Sequence, residues 1–137
     1  MSQAASLAFA LFRTADAPTF LRRVLTLDAV TSGAMGLMLI VGAGQLGPLL
    51  GLPVELLRAV GYAFIPFVAL VAVAAARPGR SLGLTVGLLN AGWVVASIGA
   101  LVSGALAPNL LGMVFVAGQA IFVGVLAELQ IIGARRL

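Results

Sequence analysis

The chain has 137 residues, of which 62% are hydrophobic and 9% charged, and its mean hydropathy is +1.19. Soluble domains carry about a quarter of their residues as charges, so this composition excludes an ordinary soluble fold and makes lipid the expected solvent. The formal charge of +4 comes from eight arginines standing singly or in pairs at the edges of apolar runs, without a basic stripe or interleaved aromatics, which marks topology and excludes a nucleic-acid surface. With no Cys and no His there is no disulfide, thiol redox chemistry, thiolate metal site or imidazole acid/base, and no metal or cofactor is implied.

Residues 1–19 hold a short apolar patch, Leu7 to Phe12, followed by Arg13, Asp16 and Pro18. A secretory signal needs its positive charge before a longer apolar core, so this segment is expected to lie on the membrane surface or to fray. The first span is expected over 20–44, with Thr19 as its N-cap. It opens with Arg22 and Arg23 and carries an acid, Asp28, a short way inside. The connection that follows, from Gly44 to Pro53, is rich in Gly and Pro yet uncharged, and is expected to break the helix at the outer interface.

A second span is expected over 54–76, with Glu55 at its positive N-terminal end, Arg58 placed to pair with Glu55, and Pro66 as a source of a kink. The Arg77 to Ser81 stretch is a basic turn. The third span, 82–103, carries Gly83, Gly87, Asn90, Trp93 and Ser97, and the fourth, 110–134, carries Gln119, Gly124, Glu128 and Gln130 before Arg135 and Arg136. The fold class read from this pattern is all-α, a four-helix transmembrane bundle that uses nearly every position after residue 19. Seven arginines fall on one side of the bundle and only Arg58 near the other, so both termini are expected in the cytoplasm.

The candidate site is built from the intramembrane polar residues. Asp28 lies five residues beyond Arg23, about 8 Å at the helical rise of ~1.5 Å per residue, and Glu128 lies seven before Arg135, about 10 Å in from the same side. Asn90, ten residues past Arg80, is expected about 15 Å deep, just above the two acids. Asp28, Ser32 and Gly36 recur at i+4, as do Ala120, Gly124 and Glu128, so each acid stands on a stripe of small residues suited to close helix approach. Gly33 and the Gly83-x-x-x-Gly87 pair are further packing candidates, while Trp93 is offset, beside the site or facing lipid.

Two readings of the acids stand open. In one, Asp28 and Glu128 share a proton or hold a cation, with Asn90 and Ser32 as neutral hydrogen-bonding partners. In the other, each acid pairs with an arginine of the same edge and ties helices in register. Gln119 and Gln130, eleven residues apart and so nearly on one helix face, are expected to bond between helices or at a seam with a partner subunit.

Leu21-Arg22-Arg23, Leu27-Asp28-Ala29, Leu50-Gly51-Leu52-Pro53, Leu89-Asn90-Ala91-Gly92-Trp93 and Ala127-Glu128-Leu129-Gln130 resemble the corresponding words of a group of small uncharacterised four-span bacterial inner-membrane proteins. That resemblance covers most of the chain after residue 19 and implies a multi-pass inner-membrane location, but no activity. Small multidrug exporters also have four short spans with an acid in the first, but theirs lies deeper among aromatics, whereas Asp28 is flanked by Thr26, Ala29, Thr31 and Ser32. Without a catalytic constellation, the expected function is non-enzymatic: an accessory or assembly subunit of a membrane complex, or a self-associating bundle. The alternatives are a small proton-coupled or cation-handling transporter using Asp28 and Glu128, and a lipid or quinone binder at the apolar seam near Trp93.

Overall fold

The computed structural model describes Gln3 and residues 16–137, and residues 16–137 fold into four long helices, α1 (Ala17–Leu50), α2 (Val54–Ala76), α3 (Arg80–Ser103) and α4 (Leu110–Arg135). Each is long and apolar enough to cross a membrane. Most of the expected surface segment lies outside the described residues, but positions 17–19 already belong to α1.

Helix α1 differs from expectation at both ends. It starts earlier because Asp16, not Thr19, is the N-cap: its Oδ1 accepts from the Thr19 N–H at 2.8 Å, and Pro18 sits in the first turn, where no intrahelical donor is needed. It ends later because the glycines of the expected break are tolerated inside the helix, and Pro48 lies within a turn of the end, where one lost backbone bond matters least. The actual stop is Gly51, whose φ of 69° is the left-handed conformation only glycine enters freely. The Gly47 carbonyl accepts from both Gly51 and Leu52, a Schellman-type closure.

The turn between α1 and α2 is therefore only three residues long, and α2 passes through Pro66 as one helix. Asn109 caps α4 by accepting from Gly112, and it also donates to the Leu49 carbonyl at 2.8 Å. One side chain thus starts α4 and fastens it to the end of α1. A Cβ at Gly112 would overlap the Leu50 carbonyl, so the join requires glycine there.

The helices form two antiparallel hairpins, α1 with α2 and α3 with α4, joined mainly through α1 and α4. Helices α2 and α3 barely touch, and this leaves a seam along one side. Leu21, Leu25, Val71, Ala74, Val86 and Ala134 fill the core at the end where α1 starts and α4 stops, and Leu39, Ala43, Leu50, Leu52, Leu57 and Val116 fill the other. Close approach depends on glycine at two points where α3 meets α4 and at one where α2 meets α1. A Cβ on Gly83 would come within 2.8 Å of Ala134, one on Gly87 within 2.8 Å of Ile131, and one on Gly61 within 3.0 Å of the Gly36 carbonyl. The Gly83 and Gly87 pair thus serves packing within the chain, whereas Gly33 and Gly124 have room to spare.

Candidate functional site: a buried carboxamide and carboxylate cluster beside a seam cavity

Between the two apolar cores lies a polar layer. Asp28 is 1% exposed, Asn90 4% and Gln130 0%, and they come from α1, α3 and α4. Burying such groups is costly unless they are hydrogen-bonded, and here they bond to one another. Asp28 Oδ2 accepts from Asn90 Nδ2 at 2.8 Å and from Gln130 Nε2 at 2.6 Å, and Asp28 Oδ1 accepts from the Ser32 hydroxyl at 2.8 Å. Asn90 Nδ2 also donates to Gln130 Oε1 at 2.8 Å, closing a three-residue ring across three helices. Asp28 Oδ2 accepts from both amides, so both turn their NH₂ groups toward it.

Asp28, Asn90 and Ser32 are therefore brought together, while Glu128 is not part of the group. Two steps along a helix turn a side chain by roughly 200°, so Gln130 faces Asp28 while Glu128 faces an open groove between α3 and α4. That groove, about 690 Å³, is lined by Val94, Ile98, Ala117 and Gly124 as well as Glu128, with the buried Ala120 at its base, so the small-residue stripe of α4 borders the groove and not the Asp28 group. Among the described residues no arginine reaches Asp28; its partners are the three neutral donors. Arg22 instead donates to the Ala75 carbonyl at the end of α2, at 3.2 Å. The expected ion pair of Arg58 with Glu55 is present at 2.9 Å on the exposed surface, where such pairs contribute little.

Depth explains how Asn90 meets Asp28 directly. Counted from the true start of α1 at Ala17, Asp28 is about 16 Å along its helix, and Asn90 is about 15 Å along α3 from Arg80.

A second polar chain lies beyond the first. Trp93 Nε1 donates to Gln119 Oε1 at 2.8 Å, and Gln119 Nε2 donates to Ser97 Oγ at 3.2 Å and to the Val116 carbonyl at 2.9 Å. Both glutamines thus make bonds between helices. Trp93 also meets Phe64 edge-on, with ring centroids 5.9 Å apart, across the seam between α2 and α3. Beside these rings lies a cavity of about 220 Å³, lined by Ser32, Ala63, Phe64, Phe67, Leu89, Asn90, Trp93 and Val123. Its rim residues Ala63 and Leu89 are exposed, so it opens to the outside of the bundle.

No family model, curated protein or solved structure matches this chain.

Proposed function

We propose that this chain is a non-enzymatic integral membrane protein, inserted with both termini in the cytoplasm of a bacterial inner membrane, that acts as an accessory or self-associating subunit. The observation that carries the assembly reading is the outward groove between α3 and α4. Its small residues Ala117 and Gly124 are the kind of surface against which membrane helices pack, and they stay partly exposed within the described bundle. The buried polar side chains of the Asp28 and Gln119 groups are engaged with one another, which suits ties between helices better than turnover. The groove is matched to a single helix of a second subunit, whether another copy or a different membrane protein. Extraction in mild detergent followed by native mass spectrometry tests this: a stoichiometric complex is expected, and recovery of the monomer alone overturns it.

A second reading, a binder of a lipid or quinone at the seam near Trp93, is favoured by the cavity itself, which has aromatic walls and one polar edge. The transport reading needs Asp28 and Glu128 at one site. Asp28 bonds to neutral partners and Glu128 lines the groove on another face, so the geometry lends that reading no support.

A further inference from the structure

The polar edge of the seam cavity consists of Ser32 and Asn90. Each of these side chains has its donors turned away from the cavity. The Ser32 hydroxyl donates to Asp28, and the Asn90 NH₂ donates to both Asp28 and Gln130. The indole N–H of Trp93, the remaining donor on the wall, is held by Gln119. Acceptors are what is left. Asn90 Oδ1 takes part in none of the hydrogen bonds of the described residues, although the side chain is 96% buried by its 4% exposure. No buried side-chain oxygen or nitrogen among them is both sealed off and unpartnered, so this oxygen retains open space, and the space beside Asn90 is the cavity. Ser32 Oγ keeps its lone pairs as a second acceptor.

Resting on the reading of the seam as a binding cavity, we propose that it selects a compact lipophilic ligand bearing a hydrogen-bond donor, a hydroxylated aromatic ring such as a phenol or quinol headgroup. The discriminating group is Asn90 Oδ1. An apolar cavity of roughly 150 Å³ is enough for benzene, so about 220 Å³ admits a ring with a short substituent. Phe64, Phe67 and Trp93 supply the faces and edges on which such a ring packs. An oxidised quinone, whose carbonyls only accept, meets an edge that only accepts. The hydroxyl form meets a complement. The Asp28 carboxylate behind Ser32 and Asn90 holds both in this orientation, so it acts as a positioning residue for the site without lining it.

Trp93 is the one tryptophan of the chain, so its fluorescence reports occupancy without labelling. The intact protein in phosphatidylcholine nanodiscs is titrated with 4-ethylphenol and, at matched concentration in the bilayer, with 4-ethylanisole, which has the same ring and a capped hydroxyl. The expected result is a saturable change with the phenol and an affinity about tenfold weaker for the ether, the factor equivalent to one net hydrogen bond. Thermal stabilisation by the two compounds should follow the same order. Ala63→Phe, or Val123→Phe from the opposite wall, should abolish saturation while the helical content is unchanged. Equal affinity for both compounds overturns the donor rule and leaves a cavity that binds by shape, whereas no saturable response to either overturns the cavity reading as well.

Discussion

At the scale of single residues, Asp28 is a hub whose value depends on acceptor geometry more than on charge. Asp28→Ala leaves Gln130 Nε2 without its acceptor and Asn90 Nδ2 with one of two, both on buried side chains. At about 1–3 kcal/mol for each orphaned buried donor, the loss is expected to be about 2–5 kcal/mol, read as reduced resistance to reversible unfolding in mixed micelles. Asp28→Asn is expected to stay within about 1 kcal/mol of the parent, because the new amide oxygen can still accept from Asn90 and Gln130 while its NH₂ donates to Ser32 Oγ, which can reverse its role. A large loss in the second variant would show that the negative charge itself is required. Asp16 behaves differently, since it is fully exposed and its carboxyl is held below the usual carboxylate range by hydrogen bonds to the Thr19 side chain and backbone. A lowered folded value means that its contribution is complete above the unfolded value, about 3.9, and is lost as pH falls through the folded one. Amide exchange in the first turn of α1 should therefore quicken, relative to neighbouring turns, on acidification below about 4. That pH dependence should vanish in Asp16→Asn, which still caps but does not titrate.

At the scale of elements, what could be read from residues alone was the helix count, the meeting of Asp28 with Asn90 and Ser32, and the face of α3 that carries Gly83, Gly87, Asn90 and Ser97, all of them buried. What could not be read was register. A charged residue draws notice in an apolar helix, so Glu128 outweighed Gln130, although helix rotation decides which of them reaches Asp28. Gln130 was legible as a polar residue suited to bonding between helices, but not as the partner of Asp28; Ala127 and Ala134, small buried residues three behind and four ahead, mark the same inward face. Likewise the Gly- and Pro-containing stretch from Gly44 to Leu50 looked like a loop, because isolated propensity does not register how readily an apolar, tightly packed helix continues through such residues. The glycines that matter are those at crossings. Gly87→Leu is expected to cost about 1–3 kcal/mol by forcing Ile131 and the Ala127 carbonyl apart from α3. Gly92→Ala, where an added methyl meets nothing within 4 Å, is expected to be neutral or to stabilise by up to about 1 kcal/mol. Thermal unfolding of the two variants side by side checks the contrast, and equal effects would mean that α3 and α4 do not approach where the structure places them.

At the scale of the whole molecule, the even number of antiparallel helices puts the start of α1 and the end of α4 at one end of the bundle, which makes the arginine distribution a statement about orientation. Arg22, Arg23, Arg77, Arg80, Arg135 and Arg136 all belong to that end, and Arg58 to the opposite one. Helix α1, with 34 residues, is about 50 Å long against a hydrocarbon core of ~30 Å, so in a bilayer its ends reach the headgroups on both sides or the helix tilts. Arg22 and Arg23, one to two turns inside α1, then sit at the headgroup level of the positive side, where Arg22 also closes the end of α2. The absence of native cysteine makes this orientation directly measurable. Ser81→Cys, beside Arg80, and Glu55→Cys, in the first turn of α2, place single thiols at opposite ends of the bundle. With a membrane-impermeant maleimide on bacterial cells whose outer membrane is permeabilised, Glu55→Cys should label in intact spheroplasts, and Ser81→Cys only after the inner membrane is broken. The reverse pattern would invert the bundle and place the arginine-rich end outside, against the charge rule; labelling of both in intact spheroplasts would mean that the four helices do not form a single inserted unit.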